Sequence, residues 1–189
     1  GDDSEVHALV PQIIREMAAS KVSVALPSLR VDSELAGDLS VMQTVRKAGL
    51  TFAPEAGTQR LRDVINKNVT EEDVLRATQD AFSAGWNGVK LYFMIGLPTE
   101  TDEDVLGIAE LTRRISRQFY EMPKEKRGKG LRMTVSVSTF VPKPHTAFQW
   151  CAQVSPDEIM RRQALLREAI RGVRGAELKC HYSLLSVLE

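Results

Sequence analysis

The chain has 189 residues, 43% of them hydrophobic and 26% charged, the proportions of an ordinary soluble domain with a core of its own. Lys and Arg number 25 against 25 Asp and Glu, so no global basic or acidic field points to nucleic acid or an anionic membrane. The 2 cysteines make no disulfide framework, no apolar stretch reaches the length of a membrane span, and a reducing cytosol is the default compartment.

The first predicted element is an amphipathic helix over 4–19, with Val6, Leu9, Val10, Ile13, Ile14 and Met17 at helical spacing behind the capping run Asp2-Asp3-Ser4. A strand follows over about 21–27, ending in Ser28-Leu29-Arg30, and then a helix over 34–48 closed by Gly49. Residues 50–54 read as a strand that breaks at Pro54. The polar loop Glu55-Ala56-Gly57 leads to a short helix that starts at Thr58, runs through Val64 and breaks at Asn66-Lys67-Asn68. Thr70, with Asp73 three residues on, starts a longer helix that Gly85 ends. The apolar run over about 88–95 suits a strand buried on both faces. Beyond Gly96-Leu97-Pro98-Thr99-Glu100, Thr101 begins a helix to about Tyr120, its first turn carrying Asp102, Glu103 and Asp104 at the positive end of the dipole.

Residues 121–130 are predicted to form a charged surface loop. A strand over about 131–140 follows, setting Met133, Val135 and Val137 against Thr134, Ser136 and Ser138. Pro142–Trp150 is an irregular loop carrying His145, with Phe148 and Trp150 expected to cover the bottom or side of the barrel. Ser155-Pro156 opens a helix to about Gly172, and a last strand spans about 176–182. Cys151 and Cys180 read as free thiols, and Met42, Met94 and Met133 as core. Alternating strands and helices predict an α/β fold with a parallel sheet, one domain over 1–189 built as a partial (βα) TIM-like barrel with outer helices. The absence of an initiating Met and the apolar pattern of Ser183–Glu189 lead us to expect a piece of a longer protein, with an open sheet edge prone to self-association.

Three segments in order carry a resemblance: Arg30-Val31-Asp32, Glu55-Ala56-Gly57-Thr58-Gln59-Arg60-Leu61 with Asn66-Lys67, and Gly96-Leu97-Pro98-Thr99-Glu100-Thr101. Together they resemble the second half of a radical S-adenosylmethionine (SAM) barrel. Pro27-Ser28-Leu29-Arg30-Val31-Asp32 and Thr139–Thr146 are similar to an uncharacterised Fe–S oxidoreductase branch, in which this domain follows a cobalamin-binding-like domain. The likeness extends from about Lys21 to Glu189. One departure stands out. The Cys-x-x-x-Cys-x-x-Cys segment that holds the family's cluster is absent, leaving only Cys151 and Cys180.

The resemblance implies that an intact parent binds SAM and a 4Fe–4S cluster and cleaves SAM reductively to a 5′-deoxyadenosyl radical that acts on an unknown substrate. It implies no cofactor bound to this fragment, and no activity in it alone. The implied partner is the missing N-terminal part of the same chain, which bears the cluster, with a cobalamin-binding-like domain beyond it. Arg30 and Ser28 would meet the SAM carboxylate, Glu55 and Gln59 the ribose beside Gly57, and Ile95, Gly96, Leu97 and Pro98 the adenine. His145 would face the substrate.

Each assignment has a plainer reading. Glu55 can be a helix-start carboxylate, Arg30 a surface ion pair with Asp32 or Glu34, Gly96-Leu97-Pro98 a tight turn, Glu100 a helix cap, and His145 a solvated loop residue. Two further classes stay open. One is a barrel-like binding or scaffold module without chemistry. The other is a cluster-free barrel enzyme using Glu55 and His145 as acid and base.

Overall fold

The computed structural model describes residues 50–127 and 130–181. The predicted helices over 4–19 and 34–48, the strand over 21–27, and Ser28 and Arg30 lie outside the described residues, as does Tyr182 at the end of the last strand. In chain order the elements are β1 (Leu50–Glu55), α1 (Gln59–Val64), α2 (Glu71–Ser83), β2 (Gly88–Ile95), α3 (Asp102–Glu121), α4 (Lys124–Arg127), β3 (Arg132–Thr139), α5 (Pro156–Ile170) and β4 (Ala176–Cys180).

The helices start where side chains can satisfy their first amides. Thr70 accepts from the Asp73 amide while the Asp73 carboxylate takes the Thr70 amide, a closed capping box. Thr101 and Asp104 repeat it at α3, and Ser155 caps α5 with Pro156 in its first turn. The short α4 lies inside the stretch predicted as a plain loop. Its four residues, three of them lysine or arginine, carry no apolar periodicity to announce them.

The four strands are parallel, in the order β1-β2-β3-β4. β1 runs on through Pro54 to Glu55, with a register shift between Phe52 and Glu55, where a break at Pro54 was expected. An edge strand within the described sheet tolerates a proline because its missing N–H faces no ladder partner.

Alternation along each strand separates two faces. Leu50 and Phe52, Val89, Leu91, Phe93 and Ile95, and Met133, Val135 and Val137 are buried in one cluster with the inner faces of α2, α3 and α5. Phe82 of α2 meets Phe119 of α3 edge to face, with ring centroids 5.1 Å apart. The opposite face carries Thr51, Lys90, Tyr92, Thr134, Ser136, Ser138, Glu177 and Lys179 by the same alternation. The expectation that β2 is buried on both faces is therefore corrected. Tyr92 is 36% exposed, and the Lys90 ammonium lies 4.4 Å from its ring centroid and donates to its hydroxyl. At the carboxyl end a second, small apolar cluster gathers Ala56, Leu61 and Leu97 with Ile65, Met94 and Phe140.

Candidate functional site

In a parallel sheet the loops leaving the carboxyl ends of the strands are where ligands bind, so the segments after β1 and β2 come first. Glu55 ends β1 with φ of 67°, in the left-handed region, a conformation that costs a glutamate about 1 kcal/mol or more. The turn aims its carboxylate away from the ladder and toward Lys67, whose Nζ lies 3.3 Å from Oε1. The Glu55 side chain keeps 25% of its surface exposed, and Lys67 is its one ion-pair partner among the described residues.

Beneath it sits a fully buried guanidinium. Arg62, 0% exposed, donates to the Ala56 carbonyl at 2.8 Å and to Gln59 Oε1 at 3.3 Å, with Glu71 Oε2 at 3.9 Å. Burial pushes its pKa down, against the pull of Asp63 and Glu72. Gln59 is thereby committed at both ends, since its Nε2 donates to Asp63 at 2.8 Å. Gly57, expected to leave room for a ligand, instead receives the backbone of α3. A β-carbon there would lie 2.1 Å from the Asp104 carbonyl oxygen and 2.5 Å from the Ile108 nitrogen.

Asp104 joins the two loops. Its carboxylate accepts from the Thr58 hydroxyl and from Arg60, and Oδ2 also accepts from the Thr101 amide and hydroxyl, each at 2.8 Å. Burial alone would raise the pKa of this carboxyl. The hydrogen bonds from Thr58, Thr101 and Arg60 outweigh it and hold the group at about 2. Arg60 further donates to the Thr99 carbonyl at 2.9 Å, so the turn after β2 is tied to the helix after β1.

The β2 turn is closed from within. Gly96 takes φ of 85°, and its amide donates to Glu100 Oε2 at 2.6 Å. Glu100 was expected to cap α3, but Thr101 does so. Glu100 holds the turn, with Arg162 Nη1 at 2.6 Å from the same oxygen and Arg162 Nε at 2.8 Å from Glu158. Burial pushes the Glu100 carboxyl up, opposed by the Gly96 amide and Arg162. The side chains of Ile95 and Leu97 are buried among protein groups, at 0% and 2% exposure, and Pro98 is half-buried.

The remaining residues lie apart. His145 has φ of 62°, is exposed, and donates its amide to Gln149 Oε1 at 3.2 Å on the loop after β3. Phe148 packs edge-on against Phe140, whereas Trp150 is 90% exposed and does not cover the bottom or side of the barrel. Cys151 and Cys180 are free thiols, and burial raises the Cys180 pKa. No group of three His, Cys, Asp or Glu side chains that could hold a metal occurs among the described residues. With only 2 cysteines in the whole chain, these residues do not fit a 4Fe–4S cluster, which needs three thiolates. No helix among the described residues is long and apolar enough to cross a membrane. Sequence reading missed Asp104, Arg60 and Arg62 as the frame of the site. It also missed Lys90 and Tyr92 on the polar face, although the lysine interrupting an apolar strand was a visible sign.

Parallel strands with outer helices and polar loops at their carboxyl ends define a class first: an α/β protein built like part of a (βα) barrel. The family model of the Radical SAM superfamily matches residues 4–112, more than half of the chain, and the chain belongs to that superfamily. It is also 39% identical over 128 residues to "Uncharacterized protein MJ0966" of Methanocaldococcus jannaschii, a match that covers 68% of this chain and 26% of that protein. The chain thus spans about a quarter of that curated relative's length.

Proposed function

We propose that the chain is one domain's share of a radical SAM iron–sulfur enzyme, supplying cofactor contacts and part of the substrate cavity while the cluster is held elsewhere in a longer parent. In the parent, a cluster held outside this chain would, together with SAM, supply the reductive radical chemistry that acts on the substrate. This chain's residues bind and orient. Glu55 accepts from hydroxyl groups of the nucleoside, and the backbone of the Gly96-Leu97-Pro98 turn lies along its base. Arg30 and Ser28 take the carboxylate of the amino acid. Gly57, Gln59, Ile95 and Leu97 act through packing and positioning rather than through exposed contacts. His145 belongs to the substrate side, and the polar sheet face with Lys90 and Tyr92 lines the cavity. A cobalamin-binding-like domain preceding the cluster-bearing half belongs to the same proposal, as do the cytoplasmic location and the inactivity of the chain alone.

The observation that carries this reading is Glu55. In a chain of this superfamily, a glutamate at a strand's carboxyl end keeps its carboxylate partly exposed although its backbone is held in a costly conformation. The test uses the intact parent, purified without oxygen and reconstituted with iron and sulfide. Glu55→Gln keeps the side chain's shape and removes its charge. SAM affinity should fall about tenfold, as expected for a lost charge-assisted contact, with iron content unchanged. Unchanged affinity removes Glu55 from the site. Failure of the wild-type parent to release 5′-deoxyadenosine on reduction removes the enzyme reading altogether.

A further inference from the structure

The geometry points to a second binding site, at the other end of the sheet, that takes a small ligand bearing phosphate groups. A cavity of about 300 Å³ opens between the second half of α3 and the turn joining α5 to β4. Arg113, Arg117, Arg171 and Arg174 line it, together with Ser116 and Gly172. The helices run antiparallel to the strands, so this cavity sits at the strands' amino ends, remote from Glu55.

Four arginines border one concavity in a chain whose formal charge is zero, and no carboxylate belongs to the lining. Two of them have plain explanations. Arg113 donates to the Ala169 carbonyl at 2.7 Å and pairs with Glu110 at 3.0 Å, and Arg171 pairs with Glu168 at 3.1 Å, placements that suit cations near the carboxyl end of α5. These pairs are exposed and weakly held in water.

Arg117 and Arg174 have no such explanation. Neither has a carboxylate partner among the described residues. Arg117 stands four residues after Arg113 on α3, a spacing at which like charges destabilise a helix. Arg174 is held at both ends: its guanidinium lies 4.0 Å from the Tyr120 ring centroid, and its carbonyl accepts the Ser116 hydroxyl at 2.7 Å. Its donors are thus kept available along the ring face. At Gly172 no atom lies within 4 Å of where a β-carbon would be, so the rim is open there.

An anion with several oxygens relieves the repulsion and uses the fork geometry of arginine better than a single carboxylate does. The volume is at the lower end for small-molecule sites and suits a phosphorylated metabolite or a diphosphate group. The walls are one helix, α3, and the tight turn after α5, a short concavity rather than a long track, which favours a small ligand over a nucleic-acid strand.

Calorimetric titration of the 189-residue chain with inorganic pyrophosphate at low ionic strength tests this site independently of the SAM reading. A nucleoside diphosphate titrated in parallel distinguishes a free from an esterified source. Saturable binding is expected, weakened about tenfold or more in both Arg117→Gln and Arg174→Gln, with thermal midpoints unchanged. Arg76→Gln, which removes an exposed arginine of α2, should leave it intact. Absence of pyrophosphate binding overturns the site. So does an equal loss in Arg76→Gln, which would mean diffuse charge, or binding of single-stranded RNA without binding of pyrophosphate. Should either pocket variant lower the thermal midpoint, the stabilisation of the wild-type chain by pyrophosphate decides: a rise in its midpoint supports the site, and no rise overturns it.

Discussion

Gly57 and Gly107 meet backbone to backbone: a β-carbon on Gly107 would lie 2.7 Å from the Gly57 carbonyl oxygen and 2.9 Å from Thr58 Cγ2. The loop after β1 and the first turns of α3 can approach this closely only because neither residue has a side chain. The contact fixes where Glu55, two residues earlier, leaves the strand.

Gly107→Ala therefore sets two effects against each other. Alanine in a helix interior gains about 1 kcal/mol over glycine, while overpacking against backbone costs about 1–3 kcal/mol. The backbone neighbour cannot rotate away, so the clash should win and the urea midpoint should drop. A variant more stable than wild type would show that loop and helix can part without penalty.

Arg62 fills a position that lysine cannot. Its fork serves Ala56 and Gln59 together, with Glu71 nearby, from a site with no exposure. Arg62→Lys retains the charge, loses the paired geometry, and should destabilise the chain by about 2 kcal/mol. Equal stability of the two in chemical denaturation would mean that water takes over the lost donors.

Asp104 gives the fold an acid-sensitive joint. Its folded pKa of about 2 lies below the ordinary 3.8, so its stabilisation is complete above pH about 4 and is lost as pH falls through about 2. That contribution is about 2 kcal/mol by linkage. Asp104→Asn should show its full deficit at neutral pH, and the gap to wild type should close between pH about 4 and 2. A gap independent of pH would assign the deficit to shape rather than charge.

Adjacent residues of β2 should respond in opposite ways. Phe93 is buried against the helices, and its truncation to alanine should cost about 3–5 kcal/mol. Tyr92 faces the polar side, and Tyr92→Ala should change stability by less than about 1 kcal/mol. Comparable losses from thermal unfolding would mean that the polar face is packed rather than wet.

The local signals were legible where one short segment carries both halves of an interaction. Thr70 with Asp73, Ser155 with Pro156, and the alternation of Met133 to Ser138 each announce their element within a few residues. Contacts that join distant segments leave no such mark. Thr58 and Asp104 are 46 residues apart, and nothing near either names the other. Asp104 read as one of three acids serving a helix dipole, although only its third position could close a box with Thr101. Arg62 carries no sign of burial in the sequence, because its neighbours Arg60 and Asp63 are polar, and its burial follows from how α1 lies over the loop. The strand holding Lys90 and Tyr92 read as a nearly continuous apolar run because an aliphatic stem and a ring pass for core until the other side of the sheet is seen.

The shared carboxylate of Asp104 has a consequence for motion. Thr58 caps α1 and Thr101 caps α3, and both hydroxyls donate to the one carboxylate, Thr58 to Oδ1 and Thr101 to Oδ2. Pulling either loop away breaks the Thr58 and Arg60 contacts to Asp104 together, so the carboxyl end of this sheet opens as a single unit instead of as two independent flaps. The backbone amides of the first turns of α1 and α3 then exchange with solvent deuterium at a common rate, set by one opening event and not by the exposure of each loop.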